Sequence, residues 1–469
     1  MKLEERALSD LRAERDALVA DFEAWQKRTS TGDLKQHNSQ VARVTAQLLE
    51  VMSLALRGTV LGDPTKTAAL ATLQQPRLVV GVIHAIWDFF RDKLSQRDTA
   101  RYADHLGAAD DLAWACYLPF MEARVAAIAG QDPAVAAATR AKLKEPPLVA
   151  YTPEQGLFMQ SRKRAFRPPG LSALDVEKFA GVLQRLPVPI ITLPWSHAGR
   201  ALRLTLLAHE VGHVVADDLE LNQEMSAKLN ALQLKGEVQR WTEWLPEVFA
   251  DVFGTAALGV VYVDALAAFL AGALSDVRAE IVAAGSEYPT RQLRLELCCA
   301  ALEKMGIARY SCWSDAYGSA SPAEYVEDAA LVADALLNGK FTALNGKSVS
   351  EILKWSSEEE TNTQLVANSL QENGSPPVLF SVRRWIAGAA KAQRGDPANY
   401  DKRKLDLGVL AKIVAQRPLG VRALRAASLR AAPSAAVALA AVAATSERDA
   451  AKELATYLGF IAREEEEKP

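Results

Sequence analysis

The chain has 469 residues, is 49% hydrophobic and 24% charged, and carries a formal net charge of −3. That length exceeds one ordinary hydrophobic core and predicts two or three domains. The composition is that of a soluble globular protein. The near-neutral charge argues against a general nucleic-acid binder, which would be basic.

The first residues, Met1-Lys-Leu-Glu-Glu-Arg6, lack the apolar stretch of a signal peptide. The four cysteines, Cys116, Cys298, Cys299 and Cys312, are sparse and lack zinc-knuckle spacing. They are expected to be reduced, in a cytoplasmic protein. Two apolar stretches, 252–274 and 431–445, resemble membrane spans. Asp264 interrupts the first and the second is too short, so both are expected to be buried core helices, with no membrane span.

In chain order, residues 1–145 read as a helical N-terminal region. Leu11, Leu18 and Trp25 recur every seven residues, with Leu8 and Phe22 on an adjoining face. This predicts an amphipathic first helix. Residues 78–94 repeat the pattern, with Trp87, Phe89 and Phe90 as expected core, and a helix boundary is expected at 131–133. The character changes at Pro146-Pro147. Residues 148–151 and 156–160 are short strand candidates, and 188–193 is the best strand in the chain. A loop at 195–199 leads into a helical run from about 200 to 217. Residues 146–315 form the expected central domain, and 316–469 a second helical region with a loop at 355–377. The predicted fold class is therefore α+β and predominantly helical, with a small sheet in the central domain and helical regions on either side.

The chemistry concentrates in Leu206-Leu-Ala-His-Glu-Val-Gly-His-Val-Val215. On a helix, residues four apart share a face, so His209 and His213 can reach one metal ion. Glu210 can then hold a water beside that ion as general base. With only six histidines in the chain, a chance match to this spacing is improbable. The alternative reading is a helix with two satisfied core histidines.

A hydrolytic zinc site needs a third protein ligand and an open position for water. No histidine follows His213, which leaves a carboxylate, a cysteine or an upstream histidine. A pattern with glycine at 216 and histidine at 219 fails, because those residues are Ala216 and Leu219. The strongest candidate lies in Trp244-Leu-Pro-Glu-Val-Phe-Ala-Asp251. Pro246 suits a first helical turn, and Glu247 and Asp251 then share a face. Glu247 is the expected third ligand. Asp251 is expected to accept a hydrogen bond from a ligand histidine and fix its tautomer. The competing reading is a solvated acidic face at a helix N-terminus, against which the apolar neighbours Phe249, Ala250, Val252 and Phe253 argue.

These two motifs together resemble the gluzincin zinc metallopeptidases, whose signature is His-Glu-x-x-His followed by a helix bearing Glu-x-x-x-Asp. The resemblance covers about residues 147–310. It implies a zincin-like domain, Zn2+ as cofactor, His209, His213 and Glu247 as ligands, and Glu210 as base. Some gluzincins, including the CAAX prenyl proteases, also carry a downstream His-Pro-x-x-x-x-Arg element. Here the corresponding stretch is Tyr288-Pro-Thr-Arg-Gln-Leu-Arg294. Tyr288 replaces the histidine that helps stabilise the oxyanion, and is a candidate to donate that hydrogen bond. Arg294 is read as a structural ion-pairing residue.

The expected function is a zinc-dependent intracellular metallopeptidase, an endopeptidase by preference, acting on a protein or peptide substrate. Glu210 would move a proton from water to the leaving amine. The helical regions are candidates to cover the cleft or to recruit a regulatory protein partner. A different class remains open: a helical interaction or scaffold protein with an inactive metallopeptidase-like domain. A metal-dependent hydrolase of non-peptide amides is a third. The basic cluster Arg162, Lys163, Arg164 and Arg167, the loop histidine His197, and a basic helix at 417–430 are weaker features.

Overall fold

The computed structural model describes residues 2–31, 34–63, 65, 69–130, 132–141, 143–154, 158–160, 187–197, 201–271, 285–306 and 321–353. Cys312, the basic cluster at 162–167, the loop at 355–377 and the stretches 417–430 and 431–445 lie outside them. The described chain is mostly helical, with one small sheet. Its helices are α1 (Leu3–Thr31), α2 (Asn38–Leu56), α3 (Gln74–Ser95), α4 (Ala100–Ala129), α5 (Pro133–Ala141), α6 (Ala201–Leu204), α7 (Leu207–Leu219), α8 (Asn222–Asn230), α9 (Val238–Glu243), α10 (Leu245–Leu258), α11 (Val260–Leu270), α12 (Arg291–Lys304), α13 (Ala323–Leu337) and α14 (Val349–Ile352). The strands β1 (Leu148–Thr152), β2 (Phe158–Gln160) and β3 (Ile190–Pro194) form one sheet in the order β1-β3-β2, with β3 central.

The chain divides into two compact units. The first comprises residues 1–99, 144–150 and 160–190, and the second 100–143, 151–159 and 191–469. By this division, α4 and α5 fall in the unit that also carries the His-Glu-x-x-His motif. In the first unit, the heptad-spaced Leu11, Leu18 and Trp25 of α1 are buried together with Leu8 and Phe22. Trp87 of α3 meets Phe22 edge-on, 5.0 Å between ring centroids. The Trp87 indole N–H donates to Asp21 at 2.5 Å, which satisfies the polar atom of a fully buried ring. Phe90 is core as expected, while Phe89 is only partly buried and packs against that core. Two side chains hold the extended segment after α5: Gln40 donates to Pro146 O at 2.8 Å and Arg97 to Val149 O at 2.7 Å.

In the second unit, α4 and α10 both pack on α7, and α12 packs on α10 and α13. Tyr117 of α4 donates to Asp218 of α7 at 2.7 Å, and Phe120 meets Phe253 at 5.2 Å. Asp328 of α13 is buried and accepts from the backbone N–H groups of Lys235 and Gly236, 2.8 Å each. This fixes the chain just before α9 and α10. The apolar run 252–274 is interrupted rather than continuous: α10 ends at Gly259, whose φ of 62° is open to glycine, and α11 starts afresh. Among the described residues one stretch, Leu112–Ala129 within α4, is long and apolar enough to cross a membrane, and 56% of it is buried inside the fold.

Candidate metal centre

The centre is carried by α7, α10, α11 and α12. The helical run expected from 200 to 217 is broken at Thr205-Leu206, where a tight turn bonds Leu206 N–H to Arg203 O. α7 then starts at Leu207 and buries Leu207, Val211, Val214 and Val215. Gly212 sits where α7 meets α10. A Cβ there would stand 3.0 Å from Ala250 Cα and 3.2 Å from Phe253 Cβ. A glycine therefore permits the close approach that brings Glu247 against the two histidines. Pro246 occupies the first turn of α10, as its fixed φ favours.

His209, His213 and Glu247 converge. His209 Nε2 lies 3.0 Å from Glu247 Oε2, and His213 Nε2 lies 3.4 Å from Glu247 Oε1. The two imidazole Nε2 atoms are 3.1 Å apart, with the rings nearly perpendicular at 88°. One donor atom from each of the three residues falls within 4.8 Å of the others, so this group can hold a metal ion. Donors on a tetrahedral ion with bonds near 2.0–2.1 Å would stand about 3.3–3.5 Å apart, close to the separations here. Two imidazoles and one carboxylate are donors suited to a divalent transition-metal ion.

The opposite face of His209 is held by a buried polar network. Asp251, fully buried, has Oδ1 2.9 Å from His209 Nδ1. Arg294 of α12 donates to the same carboxylate twice, Nε to Oδ2 at 2.7 Å and a terminal nitrogen to Oδ1 at 2.9 Å. This is the bidentate geometry in which guanidinium and carboxylate pair best. Tyr262 of α11 donates to Asp251 Oδ1 at 2.7 Å and lies 3.2 Å from His209 Nδ1. The Asp251 backbone carbonyl accepts from Thr255 at 2.8 Å.

Charge balance follows from this network. Burial would raise the Asp251 carboxyl, but the Arg294 guanidinium and the His209 ring hold it well below the usual carboxylate range. Glu247 is likewise held low, by His209 and His213 against burial. Burial opposes a charged His209, yet its contacts with Asp251 and Glu247 raise it to about 10. The Nε2 position where that proton sits is the one a metal would take.

Glu210 is buried next to His209 in α7. Tyr288 lies just before α12 and is 50% exposed. Its phenol is raised above its ordinary value by burial first, then by the Glu247 carboxylate, with a smaller push from Glu210. It therefore stays protonated as a donor at neutral pH, within electrostatic reach of both acids. Its ring lies 5.7 Å from the Arg294 guanidinium. A cleft of about 350 Å3 is lined by Leu270, Ser286, Tyr288, Pro289, Arg291 and Arg294 among others, and Arg294 links it to Asp251.

The structure thus brings His209, His213, Glu247 and Asp251 into contact, with Glu210 beside them and Tyr288 at the rim. His197 is a buried residue of a short 3-10 helix and makes no part of this group. The sequence reading missed Tyr262: it lies eleven residues beyond Asp251 and past a helix break, so no helical spacing links the two. Comparison with protein-family models, with curated proteins and with solved structures gave no match.

Proposed function

We propose that the chain is a zinc-dependent metallopeptidase with a zincin-like catalytic domain, holding zinc through His209, His213 and Glu247. The observation that carries this reading is the convergence of those three donors within 4.8 Å with a buried glutamate on the same helix as the two histidines. Bound zinc supplies Lewis-acid chemistry, polarising a carbonyl and making a water more acidic. Glu210 accepts the proton of the attacking water and delivers it to the leaving nitrogen. Asp251 keeps His209 in the tautomer that offers Nε2. Tyr288 donates a hydrogen bond to the oxygen on which negative charge develops. The protein would act on protein or peptide substrates in the cytoplasm, with the cleft beside Tyr288 and Arg294 as a place for substrate side chains.

Tyr288 stands where related sequence patterns place a histidine, and this favours one second reading: an interaction protein whose centre holds metal without catalysis. Glu210 discriminates, because a purely structural site needs no base. A peptide library and an unfolded protein, each incubated with the zinc-loaded chain, test both readings. Cleavage by wild type that falls at least a hundredfold in Glu210→Gln, with zinc content unchanged, supports the peptidase. Zinc-loaded wild type that cleaves neither substrate contradicts it and leaves the interaction reading.

A further inference from the structure

Tyr262 has a position that packing alone does not account for. Its side chain is buried, with its hydroxyl 2.7 Å from Asp251 Oδ1 and 3.2 Å from His209 Nδ1. Two glycines make room for it. Gly259, with φ of 62°, ends α10 and turns the chain into α11. Gly254 lies under the tyrosine ring: a Cβ there would stand 2.6 Å from Tyr262 Cε2 and 2.7 Å from Cζ. Contacts that short force the ring to move.

We infer that Tyr262 is a positioning residue of the metal centre: its hydroxyl locks the Asp251 carboxylate so that His209 keeps its proton on Nδ1 and offers Nε2 to the metal. The inference rests on the metal-site reading above. A phenol has one proton. Donated to Asp251 Oδ1, that proton leaves the phenol oxygen facing His209 Nδ1 as an acceptor. The Nδ1–H then faces two acceptors, Asp251 Oδ1 and Tyr262 Oη, and no competing donor. Arg294 donates to both carboxylate oxygens, and Tyr262 adds a second donor at Oδ1 on the His209 side. Removing the hydroxyl takes away the Oδ1 donor next to His209 Nδ1 without removing the carboxylate.

The experiment uses the full chain as wild type, Tyr262→Phe and Gly254→Ala. Zinc affinity is measured by competition with a chromogenic chelator. The histidine ring protons of the chelator-treated protein are followed by long-range proton–nitrogen correlation, and its thermal midpoint is recorded. The expected result is zinc binding weakened about tenfold in Tyr262→Phe, the size typical for partners of metal-ligating histidines. The His209 Nδ1–H signal should also exchange faster with water. Gly254→Ala should reproduce both effects with the hydroxyl still present, because the ring is pushed off Asp251. A role in packing alone would lower the thermal midpoint and leave the Nδ1–H signal in place. Zinc affinity within twofold of wild type, with an unaltered Nδ1–H signal, overturns the inference. Should wild type take up no zinc, the metal-site reading falls, while the Nδ1–H signal still decides whether Tyr262 governs His209. A variant that fails to fold is replaced by the other, since each reaches the contact from a different side.

Discussion

Asp251 ties the centre together, because His209, Tyr262 and Arg294 all converge on its one carboxylate. Asp251→Ala leaves the Arg294 guanidinium buried without its partner, and breaking such a pair costs about 3–5 kcal/mol. That substitution should lower unfolding stability by an amount of this order, read by denaturant titration, and should weaken zinc binding about 10–100-fold. Loss of less than 1 kcal/mol would mean that the network holds little. The protonation of His209 gives a second prediction. Its folded-state value of about 10 lies above its ordinary 6.5. The stabilisation it gives is therefore complete below 6.5 and is lost as pH rises through about 10. The chelator-treated chain should lose thermal stability across that window. The zinc-loaded chain should lack this loss, because binding has already displaced the proton. Superimposable stability curves for the two forms would refute the assignment of His209.

At the scale of elements, the α7–α10 contact decides the centre. Gly212→Ala gains about 1 kcal/mol of helix propensity. It also inserts a methyl 3.0 Å from Ala250 Cα, and overpacking of this kind costs about 1–3 kcal/mol. Backbone on the far side cannot rotate away, so overpacking should win. The variant should be less stable, and its zinc affinity should fall as Glu247 is pushed from the histidines. A stabilised variant with unchanged zinc affinity would show that the two helices tolerate separation. This contact also marks where sequence reading stops. The four-residue spacings within α7 and within α10 are local periodicities and were legible, as was Pro246 at the start of α10. Arg294 was legible as an ion-pairing residue but not its partner, which is 43 positions away. The break at Thr205-Leu206 carries no proline or glycine to announce it. Tyr262 depends on a reversal at Gly259 that brings α11 back over Gly254, a tertiary event with no periodic trace.

At the scale of the whole molecule, the motif-bearing stretch does not stand alone. A fragment of residues 147–310 would retain both motifs but lose α4 and α13. Tyr117 and Phe120, which meet Asp218 and Phe253, would be gone, as would Asp328, which anchors the chain before α9. That fragment should fail to give a cooperative thermal transition by circular dichroism, whereas the full chain should give one. A cooperatively folded, zinc-binding fragment would contradict the division of the chain described above. The sequence signalled the change of character at Pro146-Pro147, and the strands 148–152 and 190–194 follow it. It did not signal that α4 packs on α7, because α4 is broadly apolar and reads as a helix without naming its neighbour.

Zinc held by His209, His213 and Glu247 is the proposal on which the rest depends. The most direct measurement is the zinc content of the purified, dialysed full chain by mass spectrometry, beside His213→Ala and Glu247→Ala. Wild type should carry about one zinc per chain, with content lost or sharply reduced in both variants while each keeps its helical circular dichroism. A wild-type chain that takes up no zinc when supplied with it, or zinc content unchanged in Glu247→Ala, would rule out this ligand set.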